Sequence, residues 1–309
     1  MRQWLSDPSA ALRELDRIEA EQSLVGFVRR AWAVLEPGTE YVHGWHIDAI
    51  ADHLEAVTRG EITRLLVNVP PGMMKSMLVS VLWPMWEWGP KNLPWHRFVA
   101  TSHSMPLSVR DNIKARRLVL SDWYQALWGD RVILTGDQNA KIKFENTQTG
   151  FREAMAFESL TGSRGHRVII DDPHSVKNAE SDADRESAKQ TFLESVPTRL
   201  NSPEHSAIIV IMQRLHEKDV SGLALSMDLG YEHVMLPMEF EPSRRCVTSI
   251  GFKDPRTEDG ELLFPERFPR EVVDRDKIPL GEYAVAGQFQ QRPVPRGGAI
   301  FKSIFFKRY

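Results

Sequence analysis

Two stretches of this 309-residue chain carry side chains suited to handling a phosphate. The first is Val69-Pro70-Pro71-Gly72-Met73-Met74-Lys75-Ser76, which follows a short apolar run, Leu65-Leu66-Val67-Asn68-Val69, and opens onto a helix-forming segment. A loop so placed turns backbone N–H groups and a helix N-terminus toward an anion, with Pro71, Gly72, Met73 and Met74 forming the cradle. Lys75 would neutralise the β and γ phosphates of a nucleotide, and the Ser76 hydroxyl would ligate Mg2+. The loop is irregular, because Met74 stands where a glycine usually precedes the lysine, and Val69 where the pattern opens with one. Taken alone, it reads equally as a proline-rich turn with an incidental Lys-Ser.

The second stretch is Arg167-Val168-Ile169-Ile170-Asp171-Asp172-Pro173, where two carboxylates end an apolar strand. At the C-terminal edge of a parallel sheet, where open α/β folds bind ligands, Asp171 could hold Mg2+ through water and Asp172 could polarise an attacking water. Paired acids after a strand also cap helices. The two motifs reinforce each other, since both sit at strand ends with room between them for an intervening strand and helix. A further strand, Ile208-Ile209-Val210-Ile211-Met212, delivers Gln213 and Arg214 to the same edge. Gln213 is placed to sense a γ phosphate or to bond a neighbouring loop, and Arg214 to pair with Glu217 or Asp219.

Positioning these groups requires a sheet, and the sequence supplies its parts. Helices come first: Asp7-Pro8 is a cap with Leu12, Leu15 and Ile18 following at helical spacing. Phe27, Val28, Ala31, Trp32 and Leu35 form a second run, and Ile47, Ile50, Ala51 and Leu54 share one face of a third over residues 46–57. The helix after Lys75 runs to about residue 82, bent or ended by Pro84. Strands at 65–69, 98–102, 168–170 and 207–212, with a long helix over 106–120, predict a parallel sheet covered on both faces, an α/β core. Past residue 225 the pattern gives way to proline- and charge-rich connections, with one helical piece over 283–290. Arg292-Pro293-Val294-Pro295-Arg296-Gly297-Gly298 reads as a linker, and the chain ends near Ile304-Phe305-Phe306.

Composition narrows the class. With 42% hydrophobic and 26% charged residues the chain has the make-up of a soluble globular protein. A single cysteine, Cys246, excludes an internal disulfide and favours a reduced compartment. Met1-Arg2-Gln3-Trp4 does not open a signal peptide, and no apolar stretch approaches the roughly 20 residues that span a bilayer. A net charge of −3 is unlike a protein that coats nucleic acid but leaves room for a local basic patch. Arg110, Lys114 and Arg117 offer one, three cations on one helical face, or simply a solvated helix surface.

Taken in order, Pro70-Pro71-Gly72-Met73-Met74-Lys75-Ser76, Thr161-Gly162-Ser163-Arg164-Gly165, Ile169-Ile170-Asp171-Asp172-Pro173-His174 and Met212-Gln213-Arg214-Leu215-His216-Glu217-Lys218-Asp219 resemble the large terminase family of tailed bacteriophages. Gln288-Phe289-Gln290-Gln291-Arg292-Pro293 looks like that family's passage out of its ATPase domain. The resemblance covers most of the chain from about His43 onward. It implies a P-loop NTPase fold of the additional-strand class, with a central mainly parallel sheet, N-terminal helices and a small C-terminal lid-like subdomain. The corresponding division is an N-terminal helical segment (1–60), an ATPase core (61–225), a lid (226–291) and the start of a linker (292–309) toward a nuclease domain absent from this chain, so that no DNA cleavage is expected.

The same resemblance implies ATP and Mg2+ as cofactors and hydrolysis that drives double-stranded DNA into a procapsid. It implies a homo-oligomeric ring, often of five subunits, the portal protein and the small terminase subunit as partners, and the cytoplasm of an infected bacterial host. It casts Lys75 and Ser76 as phosphate and metal ligands, Asp171 as the metal-side acid, Asp172 as the catalytic acid where many members carry Glu, and Gln213 as part of a coupling segment. Members often carry an arginine in the phosphate loop, and this loop has none. Arg164, with Arg199 in reserve, is the candidate for a finger inserted into a neighbour's site, and Trp45 or His46 for contact with adenine; a core tryptophan with a satisfied histidine is the alternative. A superfamily-2-like helicase would share the loop and the acids, as would a nucleotide-binding assembly factor without catalysis.

Overall fold

The computed structural model describes residues 8–295. The expected cap at Asp7, the glycines Gly297 and Gly298 and the apolar Ile304-Phe305-Phe306 lie outside the described residues. Three helices come first, α1 (Pro8–Gln22), α2 (Leu24–Leu35) and α3 (Trp45–Thr58). Ser23 caps α2 by accepting the Gly26 N–H at 3.0 Å, satisfying a donor the helix start would leave unpaired. Phe27, Val28, Ala31 and Leu35 of α2 and Ile47, Ile50, Ala51 and Leu54 of α3 are buried, as their spacing predicts. In α1 the periodicity locates the helix and not its buried side: Leu12, Leu15 and Ile18 are 62%, 50% and 40% exposed. Indole N–H groups anchor α1 instead, with Trp86 donating to the Ala20 carbonyl at 2.8 Å and Trp123 to Asp16 at 3.1 Å.

The strands are β1 (Arg64–Asn68), β2 (Phe98–Ser102), β3 (Leu134–Asn139), β4 (Lys143–Asn146), β5 (Phe151–Ala156), β6 (Arg167–Asp171), β7 (Ala207–Met212) and β8 (Glu232–Met235). They form one eight-stranded sheet in the order β3-β4-β5-β2-β6-β7-β1-β8. β4 is antiparallel to β3 and β5, and the remaining pairs are parallel. Residues alternate between two buried layers. Leu65, Val67, Ile169, Ile209 and Ile211 pack toward the N-terminal helices, while Leu66, Val168, Ile170, Ile208 and Val210 pack on the opposite face with Phe192 and Val196. Both faces are thus covered, as continuous apolar strands require.

Helices α4 (Trp83–Trp88), α5 (Met105–Val119), α6 (Asp122–Trp128), α7 (Val176–Ala179), α8 (Asp182–Gln190), α9 (Val220–Ser226) and α10 (Arg270–Ala284) complete the architecture. Pro84 does not end the helix that follows Lys75: a π-helical stretch, Met77–Leu82, runs directly into α4, which contains the proline. The sheet also continues past residue 225, because β8 pairs with β1. The helical piece expected over 283–290 begins earlier, at Arg270, kinks at Gly281 where φ is 70°, and closes in a π turn, Val285–Phe289.

Candidate functional site

The loop after β1 and the end of β6 meet at the C-terminal edge of the sheet. Lys75, buried, places its ammonium 2.6 Å from the Asp172 carboxylate across 97 residues of sequence. β7 lies between β1 and β6 and contributes the next contact, the Gln213 N–H, which donates to Asp172 Oδ1 at 3.2 Å. Asp172 leaves the strand in a left-handed conformation, φ 46°, held by its own N–H on the Ile211 carbonyl at 2.9 Å. The Asp172 carbonyl accepts the His103 N–H at 3.1 Å, with the His103 ring nitrogen Nδ1 3.0 Å away.

Asp171 is buried and differently placed. Its Oδ2 accepts the Ser80 hydroxyl at 2.8 Å, while no protein atom completes a well-formed hydrogen bond to its buried Oδ1, although the Ser76 hydroxyl lies close by. Burial and then the neighbouring Asp172 raise this carboxyl to about 7, against the pull of Lys75 and the Ser76 hydroxyl. A desolvated carboxylate oxygen beside a serine hydroxyl is the donor set a hard cation takes. No group of three or more His, Cys, Asp or Glu with metal-binding geometry occurs among the described residues. A cation here would draw on Asp171 Oδ1 and the Ser76 hydroxyl, oxygen donors of the kind Mg2+ takes.

The loop's backbone explains its residues. Gly72 has φ 82°, and a Cβ there would lie 2.5 Å from the Phe268 ring, so the segment preceding α10 closes directly over the loop. Met74 has φ 59°, a left-handed geometry that glycine adopts freely and methionine does not, which is why glycine is usual there. Beyond Gln213, whose side-chain Oε1 is buried without a partner, Arg214 pairs with the buried Asp219 at 2.9 Å rather than with the Glu217 carboxylate. The Arg214 N–H donates to Gln291 Oε1 at 2.9 Å, tying the strand end to residues 288–292.

His46 is fully buried with its ring 4.7 Å from that of Phe264; no protein atom completes a well-formed hydrogen bond to either ring nitrogen, although the Met73 backbone lies close by. Trp45 stacks on Phe252 at 6.4 Å with the Arg256 guanidinium 5.3 Å above its ring. His46 is thus buried beside the phosphate loop, and Trp45 is half-buried against the core. Arg164 is exposed just before Gly165, whose N–H donates to the Arg199 carbonyl at 2.9 Å. Both arginines sit where β6 begins, roughly 17 Å of strand from the acids at its end, so neither enters its own chain's phosphate site. On α5, Arg110 pairs with Asp111 and Lys114 with Glu36, which leaves Arg117 exposed without an ion pair among those three.

Sequence reading missed His103, Ser80 and Phe268, together with Asp111, whose charge also raises Asp171, and Arg152, which donates to the Ser80 carbonyl. Ser80 follows Ser76 by one helical turn, a spacing visible in the sequence. The rest depend on strands and loops brought together only by folding. A cleft of about 760 Å3 between α8 and α9, lined by Arg185, Lys189, Lys218 and their acidic neighbours, involves none of the phosphate-loop residues.

A Lys-Ser loop after β1, paired acids ending β6 and a strand inserted between them define a P-loop NTPase fold of the additional-strand class. No protein-family model and no curated protein matches the chain. Among solved structures it is similar to the large terminase of bacteriophage HK97, at a TM-score of 0.51 and 13% identity over 84% of this chain and 52% of that one. It is also similar to the large terminase of a thermophilic bacteriophage (TM-score 0.46, 9% identity, 77% of this chain and 52% of that one). For the large terminase ATPase domain of Thermus phage P74-26 the TM-score is 0.48 and the identity 13%, over 85% of this chain and 97% of that one. The HK97 likeness is one of fold, and the chain spans about half the length of that protein.

Proposed function

We propose that this chain hydrolyses ATP and, as the ATPase part of a phage large terminase, drives double-stranded DNA into a procapsid. The observation that carries the reading is the 2.6 Å approach of Lys75 to Asp172 beside the buried Oδ1 of Asp171. The motif order and the fold shared with the HK97 protein favour a packaging motor over other P-loop enzymes.

In this reading Asp171 Oδ1 and the Ser76 hydroxyl hold Mg2+, which when bound neutralises charge on the phosphates. Lys75 exchanges Asp172 for the β and γ phosphates. Asp172, still held by the Gln213 N–H, is then free to orient and polarise the attacking water. A homo-oligomeric ring, the portal protein, the small terminase subunit, a lid over residues 226–291, a linker from residue 292 and the host cytoplasm belong to the same proposal. No helix among the described residues is long and apolar enough to cross a membrane.

Phosphate release from Mg-ATP, with binding of a fluorescent ATP analogue measured in parallel, tests it. Lys75→Ala is expected to lose hydrolysis, whereas Asp172→Ala keeps binding and loses turnover by about 100-fold or more. Equal turnover in wild type and Asp172→Ala would sink the assignment. Binding without any phosphate release by wild type, with or without DNA, would point to the non-catalytic assembly factor.

A further inference from the structure

Behind Asp171 lies a buried polar assembly that the proposed chemistry does not use. Ser80 lies in the π-helical stretch after the phosphate loop, just before Pro84, a residue with no N–H to give the helix. Arg152, on β5 and fully buried, donates to the Ser80 carbonyl through Nε at 3.2 Å and Nη2 at 2.6 Å. Its remaining nitrogen, Nη1, donates to Asn112 Oδ1 on α5. With its carbonyl so fixed, Ser80 turns its hydroxyl onto Asp171 Oδ2 at 2.8 Å.

The arrangement has a chemical consequence. A carboxylate with both oxygens free can rotate or chelate, whereas one with an oxygen already committed presents a single oxygen in one direction. Ser76 and Ser80, one turn apart, both face Asp171, and Ser80 bonds its Oδ2. Burying a guanidinium is costly, and this one is spent on a backbone carbonyl and an amide rather than on a carboxylate. That choice makes sense where the geometry of the helix behind a ligand matters.

We propose that Ser80 and Arg152 are positioning residues for the metal-side acid: Arg152 locks the Ser80 backbone, and the Ser80 hydroxyl commits Asp171 Oδ2 so that Oδ1 alone addresses a divalent cation. The inference rests on reading the site as one for magnesium nucleotide. It concerns cation affinity, so its test is binding rather than turnover.

Fluorescent ADP is titrated onto wild type, Ser80→Ala and Arg152→Lys, first in EDTA and then at rising Mg2+, with circular dichroism confirming the fold. In Ser80→Ala, metal-free ADP affinity is expected to stay within about twofold of wild type while the Mg2+ midpoint rises by about tenfold. Arg152→Lys, where it folds, is expected to move the midpoint in the same direction. A Ser80→Ala midpoint within twofold of a magnesium-responsive wild type would overturn the positioning role and leave the nucleotide site standing. Failure of wild type to bind ADP under any condition would overturn the nucleotide reading, and this inference with it.

Discussion

Met74 occupies a backbone position that the phosphate loop requires and that methionine tolerates poorly. Its φ of 59° is left-handed, a conformation costing a non-glycine residue on the order of 1 to 3 kcal/mol. The side chain recovers part of this by packing against the core. Met74→Gly is therefore expected to change stability by no more than about 1 kcal/mol, and Met74→Val, whose branched Cβ suits that region least, to lose about 2 kcal/mol more than the glycine variant. Denaturant unfolding reads the difference, and equal midpoints for the two variants would contradict the strained-loop account. The Lys-Ser and Asp-Asp pairs were legible in sequence because their residue types are dictated by the ligand. Arg152 was not, since nothing local distinguishes it from a surface arginine, and only the one-turn spacing from Ser76 pointed to Ser80.

The element that joins the site to the rest of the chain is the turn from β7 into α9. Asp219 caps α9 through the Gly222 N–H at 2.8 Å and accepts the N–H groups of Leu215 and His216 at 3.0 and 3.2 Å, besides the Arg214 guanidinium. One buried carboxylate thus holds the whole turn rigid, with Gln213 on the acid at one end and Gln291 gripped by Arg214. Asp219→Ala would strand a buried guanidinium and remove a cap, and is expected to cost about 3 to 5 kcal/mol. A melting temperature within a degree or two of wild type would show the turn to be held by something else. Arg214 paired with Asp219 as one of two sequence-based options, since both acids lie within reach, and only the fold chose between them. β5 and β8 escaped notice for a related reason. Phe-Arg-Glu-Ala-Met-Ala and Glu-His-Val-Met lack β-branched runs, and pairing to β2 and β1 overrides their local preference.

At the scale of the molecule, buried neutral histidines make the fold sensitive to acid. Burial, then charged neighbours, lower His46 to about 3 and His233 to about 4, and burial also lowers His53, His166, His174 and His216. Unfolded, His46 and His233 would take up a proton near pH 6.5; folded, they stay neutral well below that. Stability is therefore complete above 6.5 and lost as the pH falls toward the folded values. His46 and His233 alone account for on the order of 3 kcal/mol between about pH 7.5 and about pH 5.5. Unchanged urea midpoints across that range would contradict it. The separation of Arg164 from the acids along β6 carries the other prediction at this scale. If Arg164 serves the site at all it does so in a neighbour, so mixing Arg164→Ala with Asp172→Ala subunits is expected to restore part of the ATPase activity that each lacks. No recovery at any ratio would remove Arg164 from the mechanism.

The sequence by itself determined the strand-loop-helix around Lys75, the strand ending in Asp171 and Asp172, the strand leading to Gln213 and the α/β class. Those features are written in local apolar runs and in residue types that a phosphate or a cation demands. Tertiary structure alone decided that Lys75 lies on Asp172, that Asp171 gives one oxygen to Ser80, that Phe268 covers the loop, and that Arg164 sits at the far end of β6. Each of these is a relation between segments far apart in the chain or across the sheet, set by sheet order and by how helices pack over it, and no short window of sequence holds that information.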